Sequence, residues 1–261
     1  MSYSGTREVG ISVEPTYSTS EIAKIIGIHP NTVRLYEDIE FITKPKRKSN
    51  GYRIFTDLHM DQFRIARLAL EVEVLQSGLR KQAINIIKMS ARCDFDKALE
   101  LASTYLENIT SERHNAEEAI SIVEHTLLGD STYEENCRLT RKEAADYLHI
   151  TIDTLRNWEL NGLFTAKRKE NGYRVYTSSD ISTLKIIKSL RCANYSLASI
   201  LRMLSVLSDN PHANIRSAID TSNSEEDIIT ACDQLLTSLE HATSNAKEII
   251  TILEKMKKEY N

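Results

Sequence analysis

Apolar residues recur along this chain at helical spacing, in an order of elements that appears twice. Ile22, Ala23, Ile25 and Ile26 form a short apolar face behind Ser18-x-x-Glu21. That spacing is a capping box, in which the hydroxyl accepts from the third amide and the glutamate reaches back to the cap. Gly27 permits a sharp turn. Pro30 opens the next helix at its first position, where a missing N–H is harmless. Val33 and Leu35 are available to the interior, and Asn31, Thr32, Arg34 and Tyr36 lie to one side. Two short helices joined by a tight turn predict a helix-turn-helix. Phe41-Ile42 and Tyr52–Phe55 then read as two strands of a hairpin, with Asn50-Gly51 as its turn signal. Helical spacing returns over Asp57–Glu73 and Leu79–Met89. Phe95, Leu99, Ala102, Leu106, Ile109, Arg113, Ala116, Ile120, Val123 and Leu127 step by alternating fours and threes, the seam of a coiled coil with Arg113 its one charged member.

The second pass begins at the capping box Thr140-x-x-Glu143. Ala144, Ala145, Tyr147 and Leu148 give its apolar face, and Thr151 is placed to cap a helix carrying Asp153, Thr154, Arg156 and Trp158. Leu163-Phe164 and Tyr173–Tyr176 read as hairpin strands, followed by helices over Ile181–Leu190 and Leu197–Leu207. A second long seam runs through Ile228, Cys232, Leu235, Leu239, Ala242, Ala246, Ile249, Leu253, Met256 and Tyr260. The fold class expected is mainly α: two winged helix-turn-helix domains, each followed by a long coiled-coil helix. The ranges are a loose tail at 1–16, a first winged helix at 17–90, its long helix at 94–128, a linker at 129–137, a second winged helix at 138–208 and its long helix at 225–260.

The clearest repeat is a heptapeptide. Asn50-Gly51-Tyr52-Arg53-Ile54-Phe55-Thr56 returns as Asn171-Gly172-Tyr173-Arg174-Val175-Tyr176-Thr177, each after a basic run, Lys46-Arg47-Lys48 or Lys167-Arg168-Lys169. The first wing has no acid between Lys44 and Arg53; the second is one residue shorter at its tip and includes Glu170. A basic loop is ordinarily a solvated surface feature. Beside a helix-turn-helix, and repeated, it is the footprint of a nucleic-acid binder. Arg34 and Arg156 suit phosphate or guanine contact. His29 suits either a DNA contact or a helix cap, and Trp158, aligned with Tyr36, either a core position or an edge beside the groove.

Composition changes this picture little. The net charge of −4 over 261 residues is no signature of nucleic-acid binding, but a local patch outweighs the sum. No apolar run approaches the roughly 20 residues of a membrane span, and no signal-peptide pattern opens the chain, so a cytoplasmic protein is expected. The four cysteines, Cys93, Cys137, Cys192 and Cys232, are scattered singly, without metal-ligand spacing. They read as reduced thiols, with Cys93 the candidate for a sensor at the mouth of a long helix. The seven histidines are dispersed. No phosphate loop, metalloprotease or nucleophile motif is visible. No enzyme activity, catalytic residue, cofactor or metal is expected.

Glu21-x-Ala23, the run Thr32–Glu37 and Gly51–Phe55, with Glu143-x-Ala145, Thr154–Glu159, Gly162-Leu163-Phe164 and Gly172–Tyr176 in the second copy, resemble the MerR family of bacterial transcription regulators. The resemblance covers nearly all of the chain. It departs at Glu40-Phe41, where the family has Gly-Leu, and at Leu35 and Asn157, where it has the first tyrosine of a pair. It implies recognition helices in the major groove and wings on flanking phosphates. The residues so implied to touch DNA are His29, Asn31, Thr32, Arg34, Tyr36, Lys46, Arg47, Lys48, Tyr52 and Arg53 in the first copy. In the second they are Thr151, Asp153, Thr154, Arg156, Trp158, Lys167, Arg168, Lys169, Tyr173 and Arg174. It also implies double-stranded promoter DNA that is distorted, and RNA polymerase as a partner.

Family members carry one such unit per chain and pair as dimers; two units here leave two arrangements. The long helices pair within one chain as a pseudo-dimer, or two chains form a homodimer with four winged helices. Arg113 favours the former, because self-pairing of the first long helix would bring two like charges together, whereas the second helix would offer small residues near Ala242 and the carboxylate of Glu240. Two rival readings share the sequence: an excisionase-like architectural factor of a mobile element, and an interaction scaffold that has lost DNA.

Overall fold

The computed structural model describes residues 15–71, 78–127, 138–168, 172, 174–210, 212–220 and 234–260. Its order is α1 (Thr19–Ile26), α2 (Pro30–Asp38), β1 (Lys46–Arg47), β2 (Arg53–Ile54), α3 (Asp57–Glu71), α4 (Leu79–Ala91) and α5 (Phe95–Leu127). The second half follows with β3 (Arg138–Leu139), α6 (Arg141–Tyr147), α7 (Ile152–Leu160), β4 (Lys167–Arg168), β5 (Arg174–Thr177), α8 (Ser178–Cys192), α9 (Leu197–Asp209), α10 (Ile215–Asp220) and α11 (Leu235–Tyr260). The fold is mainly helical, with two winged helix-turn-helix units. Among the described residues no helix is long and apolar enough to cross a membrane.

The chain forms two compact units. One takes the residues up to Glu71, Lys81–Ser103 and those from Ala246; the other takes Val72–Arg80 and Thr104–Asn245. The division therefore cuts both long helices: the start of α5 and the end of α11 belong to the first unit, the remainder of each to the second.

In the first unit the Ser18 box forms as its spacing requires, with Ser18 N donating to Glu21 at 2.7 Å and Glu21 N to the Ser18 hydroxyl at 3.3 Å. Gly27 stops α1 at φ 74°. Ile22, Val33, Tyr36, Phe41, Phe55 and Phe63 make the core. Tyr36 stacks on Phe63 at 5.7 Å, and Phe41 and Phe55 meet that pair edge-on. Gln62, buried on α3, accepts from Thr43 N at 2.8 Å and donates to the Thr43 hydroxyl and the Ser90 carbonyl. One amide thus satisfies the backbone on both sides and ties the wing's root to α4.

The second strand of each wing falls where it was expected, β2 within Tyr52–Phe55 and β5 from Arg174, but the first strand does not. Phe41-Ile42 and Leu163-Phe164 are not strands; all four side chains drop into their cores. The first strand is instead made of basic residues, Lys46 opposite Ile54 and Arg47 opposite Arg53. In the second unit Lys167 lies opposite Val175 and Arg168 opposite Arg174, and β3 adds a third strand on the other edge of β5. The Tyr17–Phe55 bridge is the first unit's counterpart of that strand.

The α11 seam lies where its spacing placed it: Leu235, Leu239, Ala242, Ala246, Ile249, Leu253 and Met256 are buried. Ile228 and Cys232 of that seam, the linker with Cys137, and the N-terminal tail to residue 14 lie outside the described residues. The α5 seam holds in part. Phe95, Ala102, Ile109, Ala116, Ile120 and Val123 are buried as expected, whereas Leu99 and Leu106 are half-buried and Ala98, Tyr105 and Ala119 join the buried stripe. Leu127 is exposed. Arg113 is half-exposed beside the seam, 4.0 Å from Glu117 on its own helix. Glu112 stands one step earlier, where the buried stripe's spacing puts a seam position, and accepts from Asn194 at 3.0 Å. Arg113 thus loses the register role expected of it. The short α10 was also unexpected. It packs on α9, and its Asp220 carboxylate accepts from Leu236 N and Thr237 N, capping α11.

Candidate nucleic-acid interface

Each recognition helix shows one polar face. On α2, Asn31, Arg34, Leu35 and Asp38 are exposed while Val33 and Tyr36 are buried. On α7 Asp153, Arg156, Asn157 and Leu160 are exposed along the matching face, Ile152 is exposed at the helix start, and Leu155 and Trp158 are inside. Positions three and four apart share a face, so each set is one surface. Position by position, Asn31 matches Asp153, Arg34 matches Arg156, Leu35 matches Asn157, and Asp38 matches Leu160. The two faces use the same four residue types and share only the arginine.

Both arginines are held in place. Arg34 donates to the Asn31 side-chain oxygen at 2.7 Å, and Arg156 lies 3.7 Å from Asp153. Asn157 is steadied by Asn161, whose amide donates to its side-chain oxygen at 2.6 Å. His29 is the cap of α2, its Nδ1 accepting from Asn31 N at 3.1 Å. Thr151 caps α7 by accepting from Thr154 N at 3.0 Å. Both capping residues are exposed, and Thr32 and Thr154 are half-buried.

Tyr36 and Trp158 are buried, at 6% and 5% exposure, the core alternative that the sequence left open for Trp158. Their periodicity carries the reason: each sits three residues after a buried aliphatic, on the inward side of its helix.

The wings are organised by a carboxylate that the sequence did not single out as a site residue. Glu37, at the end of α2, is nearly buried and receives Arg47 at 3.1 Å and, more closely, Arg53. Glu159, at the end of α7, receives Arg174 at 2.6 Å and Arg141 at 2.9 Å. Each glutamate fixes its wing to its recognition helix through the arginine of the Gly-Tyr-Arg motif. Arg53 and Arg174 are accordingly half-buried and paired, and Arg47 is paired but more exposed. Lys46, Lys48 and Lys167 are exposed, and Tyr52, at 71% exposure, projects from the first wing. Lys169, Tyr173 and the side chain of Arg168 lie outside the described residues. The available signal for the clamp was the motif itself, since both copies end the helix in Glu and start the second wing strand with Arg.

The comparisons agree with this geometry. The MerR family regulatory protein model matches residues 18–55, and the MerR HTH family regulatory protein model matches residues 139–207. HTH-type transcriptional regulator CueR of Escherichia coli O6:H1 is 38% identical over 53 residues, covering 20% of this chain and 39% of that protein. HTH-type transcriptional regulator ZntR of Escherichia coli K12 is 38% identical over 71 residues, covering 27% and 50%. The uncharacterized HTH-type transcriptional regulator YyaN of Bacillus subtilis 168 is 29% identical over 121 residues, covering 42% and 88%. The chain thus spans half or less of the length of the first two relatives. No solved structure matches it. Two separate family matches, falling on the two halves of the repeat, show that the chain belongs to the MerR family and carries two of the family's units in tandem.

Proposed function

We propose that the chain is a sequence-specific, double-stranded DNA-binding transcription regulator whose two winged helices act together on one promoter site. The observation that carries this reading is the pairing, in each unit, of an exposed Arg-bearing recognition face with a basic wing clamped to the same helix. In such a pair the helix reads base edges and the wing holds flanking phosphates. The DNA contacts proposed are Asn31, Thr32, Arg34 and His29 with Lys46, Arg47, Lys48 and Tyr52, and in the second unit Thr151, Asp153, Thr154 and Arg156 with Lys167, Arg168, Lys169 and Tyr173. DNA distortion and engagement of RNA polymerase belong to the same proposal, and follow from the family rather than from a contact in this chain.

The two long helices pair within the chain. Support comes from inside the first unit, where the end of α11 joins the start of α5: Lys257 bonds to Asp96, and Lys255 reaches Asp61 of α3 at 2.9 Å. The beginning of α11 shares the second unit with the later part of α5, as antiparallel partners would. One chain then supplies both recognition helices.

The test is binding to duplex DNA across a salt series. Each phosphate contact adds about 0.9 to the slope of log affinity against log salt. Replacing Lys46, Arg47 and Lys48 by Ala is expected to lower that slope by about 2 to 3 and weaken binding. Wild-type affinity with an unchanged slope would defeat the proposal.

A further inference from the structure

Each winged helix is followed by a helix on which a long helix bears, and the two units differ at that contact. In the first unit Asp61 of α3 is buried and holds two cations, Arg64 at 3.2 Å and Lys255 of α11 at 2.9 Å. Counting from the paired glycines Gly51 and Gly172, Asp61 corresponds to Ser182, Arg64 to Lys185 and Arg67 to Lys188. The second unit therefore keeps the cations of this helix and lacks the acid. The Ser182 hydroxyl donates instead to the Ser178 carbonyl, 3.3 Å away.

One turn further along α8 from Ser182, at Lys185 and Lys188, α5, the end of α6 and α8 enclose an open cleft of about 830 Å³. Ala119 and Ile122 of α5, with Leu148, give it an apolar wall. Lys185 and Lys188 of α8 line the other side, and the Lys185 ammonium sits 5.3 Å from the centre of the Tyr147 ring. Glu118 is the single carboxylate among the lining residues. The volume is that of a small-molecule site, which is mostly apolar with a few convergent polar groups. Burial lowers the proton affinity of Lys185, and an anion beside it would reverse that penalty.

We propose that this cleft binds a small amphipathic anion, its carboxylate or sulfonate between Lys185 and Lys188 and its aromatic or aliphatic body against Ala119, Ile122 and Leu148. The site goes beyond the DNA-binding reading and does not rest on it. It is also placed to influence that function. His149, Lys188 and Cys192 line both the cleft and a second hollow that reaches Asp153, Thr154 and Asn157 of α7. A ligand on Lys188 is thus one side chain from the recognition helix.

The probe is 8-anilino-1-naphthalenesulfonate, titrated into the full-length chain and followed by fluorescence and calorimetry. One saturable site is expected. N-phenyl-1-naphthylamine, the same body without the sulfonate, should bind at least tenfold more weakly. Lys188→Glu should weaken the sulfonate tenfold or more, and so should Ser182→Asp, which supplies the first unit's acid to the second. Lys258→Glu, on the exposed side of α11, should bind the sulfonate as the wild type does. Circular dichroism and unfolding midpoints show whether each variant is folded. Absence of a saturable site, or wild-type affinity in both Lys188→Glu and Ser182→Asp, would overturn the proposal.

Discussion

The two winged units are one design executed with different residues, and the contrast separates what the design requires from what it tolerates. Both end the recognition helix in a glutamate that grips an arginine of the wing. In the first unit the second arginine, Arg47, also comes from the wing; in the second it is Arg141, from the helix before the recognition helix. The core below differs too. Four aromatics meet in the first unit, with Phe63 at the centre, whereas Leu184 takes the matching place in the second. The helix after the wing is capped by Asp180, which accepts from Thr177 N at 2.7 Å, and in the first unit by the imidazole of His59, which accepts from Thr56 N at 3.1 Å. The clamp recurs in kind; its partners, its supporting core and its caps are exchanged. What recurs in both is the attachment of the wing to the end of the recognition helix, which the proposed reading requires if one surface is to follow groove and phosphates together.

The largest effect should come from the core. Phe63→Ala removes a fully buried ring and should cost about 3–5 kcal/mol, somewhat more than Leu184→Ala, because the stacked pair with Tyr36 contributes about 0.5–1.5 kcal/mol beyond its area. Denaturant unfolding measures both. Equal costs would mean that the aromatic cluster adds nothing to plain burial. Next comes the clamp. Glu37→Ala and Glu159→Ala should each cost about 1–3 kcal/mol, less than a fully buried pair because the arginines keep contact with water. Glu37→Ala frees both strands of its wing, so amide exchange should quicken at Arg47 and Arg53 together. In Glu159→Ala it should quicken chiefly at Arg174. The same exchange pattern in both would remove the distinction drawn between the two clamps.

Much of this contrast was legible because it is repeated. The capping boxes, the Gly-Tyr-Arg heptapeptide and the α11 stripe announce themselves by fixed spacing. The α5 stripe departs from expectation at Leu99 and Leu106 because they are as apolar as the Ala98 and Tyr105 that are buried; periodicity gives a helix face, and the neighbouring element chooses its edge. Tyr36 and Trp158 were ambiguous for a related reason, since an aromatic with a polar atom suits a core or a groove. The first strand of each wing was misplaced because a two-residue strand made of Lys and Arg has no alternation to read, whereas the second lies where the Gly-Tyr-Arg motif put it. The clamps were invisible as contacts because they join residues 10 to 18 positions apart through tertiary packing.

A smaller effect is expected with pH. Burial pushes His59 below its ordinary imidazole value, so the unfolded chain takes up that proton first. The stability it provides is present above about pH 6.5 and is lost as pH falls below that value. His59→Gln should flatten the first unit's stability between pH 6.5 and 5, followed by thermal unfolding. An unchanged slope would assign the acid sensitivity elsewhere. The smallest effect concerns Glu40, which adopts φ 60° where the second unit has Gly162 at φ 76°. Left-handed backbone disfavours a side chain, while glycine loses more entropy on folding, so Glu40→Gly should stabilise by about 0.5–1 kcal/mol. A loss of stability would show that the Glu40 side chain contributes more than its backbone costs.

The central claim is that one chain presents two unlike reading surfaces to one DNA site. Selection of the full-length protein's preferred duplex from random sequence tests it most directly. Asn31 suits adenine and Asp153 suits cytosine, while Arg34 and Arg156 both suit guanine. The account predicts an imperfect palindrome, with two half-sites that agree at one position and differ beside it. Recovery of a perfect inverted repeat, or of no preferred sequence, would contradict it.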